Sequence, residues 1–225
     1  MGRAVVEAFA SPREAAREAA DAIAAALHDA IAERGRAGFI ATGGKTPEAA
    51  YDILARAILP WDKVIISLTD ERWVDPHSAQ SNERLIRDRL LVDKAAEACF
   101  LPLKTPAATP QEAVEAVERR IGPMLPADVV LLGMGEDGHV ASLFPAGSAS
   151  AEGLAVGVDA AEPAPPQPRL SLTLQALQPR RLTVVLISGE LKRVMLEDGE
   201  GLPIHQLLAR TKAPLRVLWA PEAPI

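Results

Sequence analysis

The run Val129-Val130-Leu131-Leu132-Gly133-Met134-Gly135-Glu136-Asp137-Gly138-His139 reads as a short strand that breaks straight into a glycine-rich turn. Its apolar residues are consecutive rather than alternating. Successive strand side chains point to opposite faces, so such a run needs cover on both sides, as in a parallel sheet layered by helices. The same grammar recurs at residues 38–41, 64–69, 182–188 and 215–219, with amphipathic stretches between that predict helices at 47–59, 82–91, 110–121, 190–196 and 203–209. Two helix starts carry a hydroxyl, a proline and a glutamate in capping-box order, Ser11-Pro12-Arg13-Glu14 and Thr109-Pro110-Gln111-Glu112, the second opening the helix at 110–121. The first opens an Ala-rich packing helix that should close near Gly35. Together these elements predict an α/β fold, doubly wound, with a mostly parallel sheet and helices on both faces, Rossmann-like, in one domain over residues 1–225.

Composition narrows the function classes. The chain has 225 residues, 48% hydrophobic, enough for a sizeable core. Lys and Arg number 24 against 30 Asp and Glu, a net charge of −6, with no basic cluster, which argues against a nucleic-acid groove or an anionic membrane surface as partner. The one cysteine, Cys99, excludes an intrachain disulfide and a cysteine-built zinc site, and is expected to be buried as a small hydrophobe. The opening MGRAVVEAFASPREAAREAA carries charge throughout, and no stretch approaches the roughly 18 unbroken apolar residues of a membrane span, so a cytoplasmic location is expected. Residues 159–168, DAAEPAPPQP, read as a surface loop.

In open parallel sheets ligands collect beyond the carboxyl ends of the strands, so the residues just after each apolar run carry the chemistry. After Ala41 comes Thr42-Gly43-Gly44-Lys45-Thr46-Pro47, whose amides and following helix start suit a phosphate, although a plain tight turn would also read this way. The nucleotide P-loop spacing fails here in either register. After Thr69 come Asp70, Glu71, Arg72 and Trp73, either a solvated charge run or a ligand-facing one, in which an arginine could hold an anion or a polarised carbonyl oxygen. Gly133, Gly135 and Gly138 formally satisfy the dinucleotide spacing, but Ser142-Leu143-Phe144-Pro145 breaks off the helix that spacing requires. His139 can be a general base, since imidazole titrates near neutral pH, or can simply cap a loop.

Taken in order, TGGKTPEAAY, DERWVDPHSAQSN and GMGEDGHVASLFP resemble the 6-phosphogluconolactonase family, from about residue 38 to the carboxyl end. Arg169-Leu170-Ser171-Leu172-Thr173 and Gly189-Glu190-Leu191-Lys192 fall where that family carries further pocket residues. Lys45 departs from its usual small hydroxyl residue, and Val140 from its common threonine. The resemblance implies the deaminase/lactonase type of the fold and hydrolysis of 6-phospho-D-glucono-1,5-lactone. It implies His139 as base, Asp137 orienting the imidazole or collecting a substrate hydroxyl, and Arg72 on the carbonyl oxygen. For binding it implies Thr42, Gly43, Gly44, Lys45, Thr46, Asp70, Glu71, Gly135 and Gly138, with Arg169 and Lys192 as charge partners of the phosphate. Ser81 and Asn82 are expected to cap a helix. No cofactor is implied, and no metal, since His77 and His205 lack a companion ligand at useful spacing. The expected partner is a small sugar phosphate, the expected state a monomer or small homo-oligomer.

Two alternatives are weaker. A glucosamine-6-phosphate deaminase or isomerase shares the Asp-Gly-His core but carries an acid shortly after the histidine, where this chain has Ser142-Leu143-Phe144-Pro145. A non-catalytic sugar-phosphate sensor of the transcription-regulator kind would need a DNA-binding segment, and the residues before Gly38 offer one helix and no recognition pair.

Overall fold

The apolar runs become strands in a computed structural model that describes residues 5–145, 147–159, 166–198 and 200–222. In chain order the elements are β1 (Val6–Ala8), α1 (Pro12–Arg34), β2 (Ala37–Ala41), α2 (Glu48–Leu54), β3 (Val64–Leu68), β4 (Asp70–Arg72), α3 (Asn82–Arg89), β5 (Cys99–Phe100), α4 (Pro110–Ile121), β6 (Val129–Leu132), β7 (Ala155–Val158), β8 (Arg169–Leu172), β9 (Leu182–Ser188), α5 (Glu190–Asp198), α6 (Pro203–Arg210) and β10 (Leu215–Ala220). Seven strands pair in parallel in the order β1-β10-β9-β6-β2-β3-β5. Every residue of β2 and β6 is buried, so both faces of the central sheet are covered, as their unbroken apolarity requires.

The winding fixes where a ligand sits. From β2 the chain moves outward through β3 and β5, then returns to place β6 on the other side of β2, with Phe39 opposite Val129. The order therefore reverses between β2 and β6, and the crevice beyond their carboxyl ends is the switch point. The loops that leave these two strands are the Thr42 and Gly133 loops.

Local signals hold where local physics suffices. Ser11 and Thr109 cap α1 and α4 through the amides of Glu14 and Glu112, and Gly35 ends α1 with φ 73°, a left-handed cap that glycine adopts without strain. Glu14 and Glu112 reach back one residue further than a standard capping box, to the amides of Ala10 and Ala108. The inner face of α1 is mostly alanine, including Ala15, Ala16, Ala19 and Ala20, which allows close approach to the sheet and to α2.

Two expectations need correction. Cys99 is exposed rather than buried, because β5 is the sheet's edge and is paired on one side only. The helix expected over 47–59 ends at Leu54, where the chain turns and the Ala55 carbonyl accepts from the amides of Lys94 and Ala95. The charge run Asp70-Glu71-Arg72, for which no element was expected, forms the strand β4 in a second, antiparallel sheet of order β4-β8-β7. The expected loop at 159–168 lies largely outside the described residues. No helix among the described residues is long and apolar enough to cross a membrane.

Candidate active site

The glycine loop after β2 is pinned from below. The Tyr51 phenol donates to the Thr42 carbonyl at 2.5 Å and accepts from the Thr42 amide at 2.9 Å. Tyr51 is fully buried, and burial pushes its phenol well above its ordinary range, so it stays a neutral two-way partner. Gly44 has φ 98°, and a Cβ on Gly43 would lie 2.0 Å from Asn82 Oδ1, so the loop needs glycine to close against α3. The helix that follows is only seven residues long and lacks a side-chain cap, so the loop's amides matter more to an anion than the helix does.

Alternation along β4 separates its three charges. Asp70 and Arg72 face the cleft, whereas Glu71 points the other way and is 1% exposed. Its carboxylate accepts from the amides of Arg72, Asn82 and Glu83 and from the Ser81 hydroxyl, at 2.7–3.0 Å. Burial pushes the Glu71 carboxyl above its usual range, and those four donors oppose the shift. Glu71, expected among the binding residues, thus closes the amino end of α3 and does not line the cleft. Ser81 also caps α3 as expected, accepting from the Arg84 amide. Glu71→Ala is expected to destabilise the fold by about 3 kcal/mol, read as a lower urea midpoint at unchanged slope, since buried donors lose their acceptor.

Asp70 ties three segments together. Its carboxylate accepts from Thr69 Oγ1 at 2.8 Å and Ser142 Oγ at 2.6 Å, and lies 4.0 Å from Arg169 Nη1. Arg72 and Arg169 are paired across β4 and β8, two like charges side by side above the cleft. Arg72 Nη1 donates to the Gln80 carbonyl at 2.8 Å, while its Nε has no partner. Arg169 is 3% exposed and leaves Nε and Nη2 unpaired. Burial lowers the pKa of its guanidinium, and Asp70 opposes that shift. Two nitrogens of a buried guanidinium are thus left able to donate to an anion in the cleft.

The loop after β6 carries the imidazole. His139 Nδ1 lies 2.6 Å from Asp137 Oδ1, and the same oxygen accepts from the His139 amide at 3.2 Å. With Nδ1–H given to the carboxylate, Nε2 is left as the free acceptor. The ring packs on Phe144 with centroids 4.8 Å apart. A Cβ on Gly135 would fall 2.2 Å from His139, and Gly138, at φ 79°, has its carbonyl bonded to the amide of Ile204 at the start of α6.

The cleft holds about 270 Å³ and is lined by Thr42, Gly43, Gly44, Lys45, Thr46, Asp70, Arg72, Gly135, His139, Arg169 and Lys192 among the expected residues. Asp137 and Gly138 support it without lining it, and Glu71 is turned away. Asn82 and Met134 also line it, unanticipated by sequence reading. Asn82 was legible only as a helix start, because its amide group reaches the cleft by donating to the Asp70 carbonyl across 12 residues of chain.

A doubly wound α/β sheet whose switch-point cleft gathers a glycine loop, two arginines and a carboxylate-held imidazole is the class of protein that fold and site define. The chain belongs to the family described as glucosamine-6-phosphate isomerases/6-phosphogluconolactonase, whose model matches residues 10–218. It is 43% identical to the 6-phosphogluconolactonase of Caulobacter vibrioides, over 96% of this chain and 97% of that one. With the 6-phosphogluconolactonase of Rhizobium meliloti it shares 41% identity, over 95% and 97%. The crystal structure of a 6-phosphogluconolactonase from Shewanella baltica matches the fold with a TM-score of 0.89 at 33% identity, covering 96% of this chain and 97% of that one.

Proposed function

We propose that this protein is a cytoplasmic, single-domain, cofactor-independent 6-phosphogluconolactonase, hydrolysing 6-phospho-D-glucono-1,5-lactone to 6-phospho-D-gluconate. The observation that carries the reading is the Asp137-held imidazole of His139 opening on the same cleft as the Thr42–Thr46 cradle. The substrate's phosphate sits on the cradle amides, with Arg169 and Lys192 supplying charge. Its carbonyl carbon then lies toward His139.

His139 Nε2 takes a proton from water as the water oxygen bonds to C1, and the carbonyl π electrons move onto oxygen. Arg72 offers N–H groups to that developing oxyanion. As the oxyanion collapses, the C1–ring oxygen bond breaks and the imidazolium returns its proton to the departing ring oxygen. The new carboxylic acid ionises, so the net products are 6-phosphogluconate and one proton. Such a base contributes about 10²- to 10⁴-fold, a modest factor that suits a lactone prone to opening unaided.

Phe144 packs on His139 in the segment where a deaminase would carry its carboxylate, and residues 142–145 hold no acid. Accordingly, progress curves of lactone disappearance at controlled pH are expected to steepen in proportion to added protein, above the spontaneous blank, with no turnover of glucosamine 6-phosphate. Curves indistinguishable from the blank would overturn the reading.

A further inference from the structure

The cleft does not end at the cradle. Lys45 and Thr46 also line a neighbouring open groove of about 1240 Å³, walled by the amino-terminal turns of α1 and by α2. Its charged residues are Arg13, Arg17, Lys45, Arg56, Arg89 and one carboxylate, Asp52. Arg89 already engages Glu48 and Asp52, and Arg56 engages Asp93. No hydrogen bond or ion pair occupies the side chains of Arg13, Arg17 or Lys45 among the described residues. Three unneutralised cations thus face one groove on a chain whose net charge is −6.

Local physics disfavours two of them. Arg13 lies in the first turn of α1, where the helix dipole favours acids, and Arg13 and Arg17 are like charges four residues apart on one face. Among the described residues neither side chain makes a hydrogen bond or ion pair within the helix, which leaves both free to meet a ligand. The proposed substrate carries a single phosphate, which the cradle with Arg169 and Lys192 accommodates without them.

We propose that this groove is a second anion subsite, continuous with the cradle through Lys45, and that the two together hold an oligophosphate chain in competition with substrate. The occupant's chemistry is a run of linked phosphates, from free inorganic oligophosphate or from the tail of a nucleoside polyphosphate. The inference rests on the lactonase reading only for its assay. The groove itself is open, and Arg13, Arg17 and Arg56 are exposed while Arg89 is half-buried, which suits an extended flexible polyanion better than a compact sugar.

The test is inhibition of lactone hydrolysis by orthophosphate, pyrophosphate and tripolyphosphate, at fixed ionic strength and without divalent cations, for the wild type and R13A/R17A. Both substitutions are exposed and helix-compatible. In the wild type Ki is expected to fall at least about tenfold from orthophosphate to tripolyphosphate, because linked phosphates engage two subsites at once. In the double variant that fall shrinks below about threefold, while kcat and the orthophosphate Ki stay within about twofold, because the cradle is intact. An unchanged ladder in R13A/R17A, or a flat ladder in the wild type, overturns the subsite. Calorimetric titration of tripolyphosphate into both proteins separates this failure from that of the lactonase reading: weaker binding by R13A/R17A supports the subsite even without turnover, and equal binding refutes it. Adding ATP to the series identifies the source, a lower Ki than tripolyphosphate favouring a nucleoside tail and a higher one favouring the free chain.

Discussion

His139→Ala is expected to lower kcat at least about a hundredfold with the fold intact, because general base catalysis of this kind supplies two to four orders of magnitude. The side chain is 24% exposed and packs on Asp137, the Phe144 ring and Gly135 at the cleft surface, so its removal opens no deep cavity. His139→Gln separates base chemistry from geometry. A glutamine amide can still donate to Asp137, but it cannot accept and return a proton at the position of Nε2. Both variants should therefore lose turnover while KM changes little, since the imidazole acts on water rather than on the bound sugar. Far-UV circular dichroism and the thermal midpoint establish that each variant is folded. Near-normal turnover in either would remove His139 from the mechanism.

Arg169→Ala should act on the opposite term. A charge-assisted hydrogen bond contributes about 1.5–3 kcal/mol, equivalent to roughly a ten- to hundredfold rise in KM. A phosphate remote from C1 is held equally in ground and transition states, so kcat should move much less. Lys192→Ala should shift KM in the same direction but by less, because an ammonium is a point charge and Arg169 presents two unpaired N–H groups in a fixed plane. Arg169→Lys should for that reason recover only part of the affinity. Unchanged KM in both alanine variants would move the phosphate elsewhere in the cleft. A fall in kcat alone for Arg169→Ala would instead assign its guanidinium to the reacting carbonyl, beside Arg72, its neighbour across β4 and β8.

Much of this architecture was legible in the chain because its causes are local. Consecutive apolar residues at 129–132 and 182–188 can only be strands covered on both faces, and both ranges match the observed elements. Ser11, Ser81 and Thr109 announce helix starts because a short hydroxyl satisfies amides three residues ahead. The Gly43-Gly44 pair and the glycines around His139 were readable for the same reason, since their conformation is set within the segment, whereas spacing left the role of Asp137 open until the structure placed it on His139 Nδ1.

What sequence could not decide depends on partners far along the chain. Three adjacent charges at 70–72 carry no mark of which one faces a ligand. That was settled when β4 paired with β8, about a hundred residues away, turning Asp70 and Arg72 to the cleft and Glu71 to the amino end of α3. The exposure of Cys99 followed from its strand ending at the sheet's edge, and the early stop of α2 from amides at 94 and 95 claiming the Ala55 carbonyl. Sequence by itself determined five strands of the parallel sheet, the helix starts and the two switch-point loops, because hydrophobic periodicity and capping act over a few residues, whereas the short strands β1, β4, β5, β7 and β8 carry no such run. Only the tertiary structure decided which side chains share the cleft and which cations stay unpaired, because burial and charge neutralisation are properties of the assembled sheet.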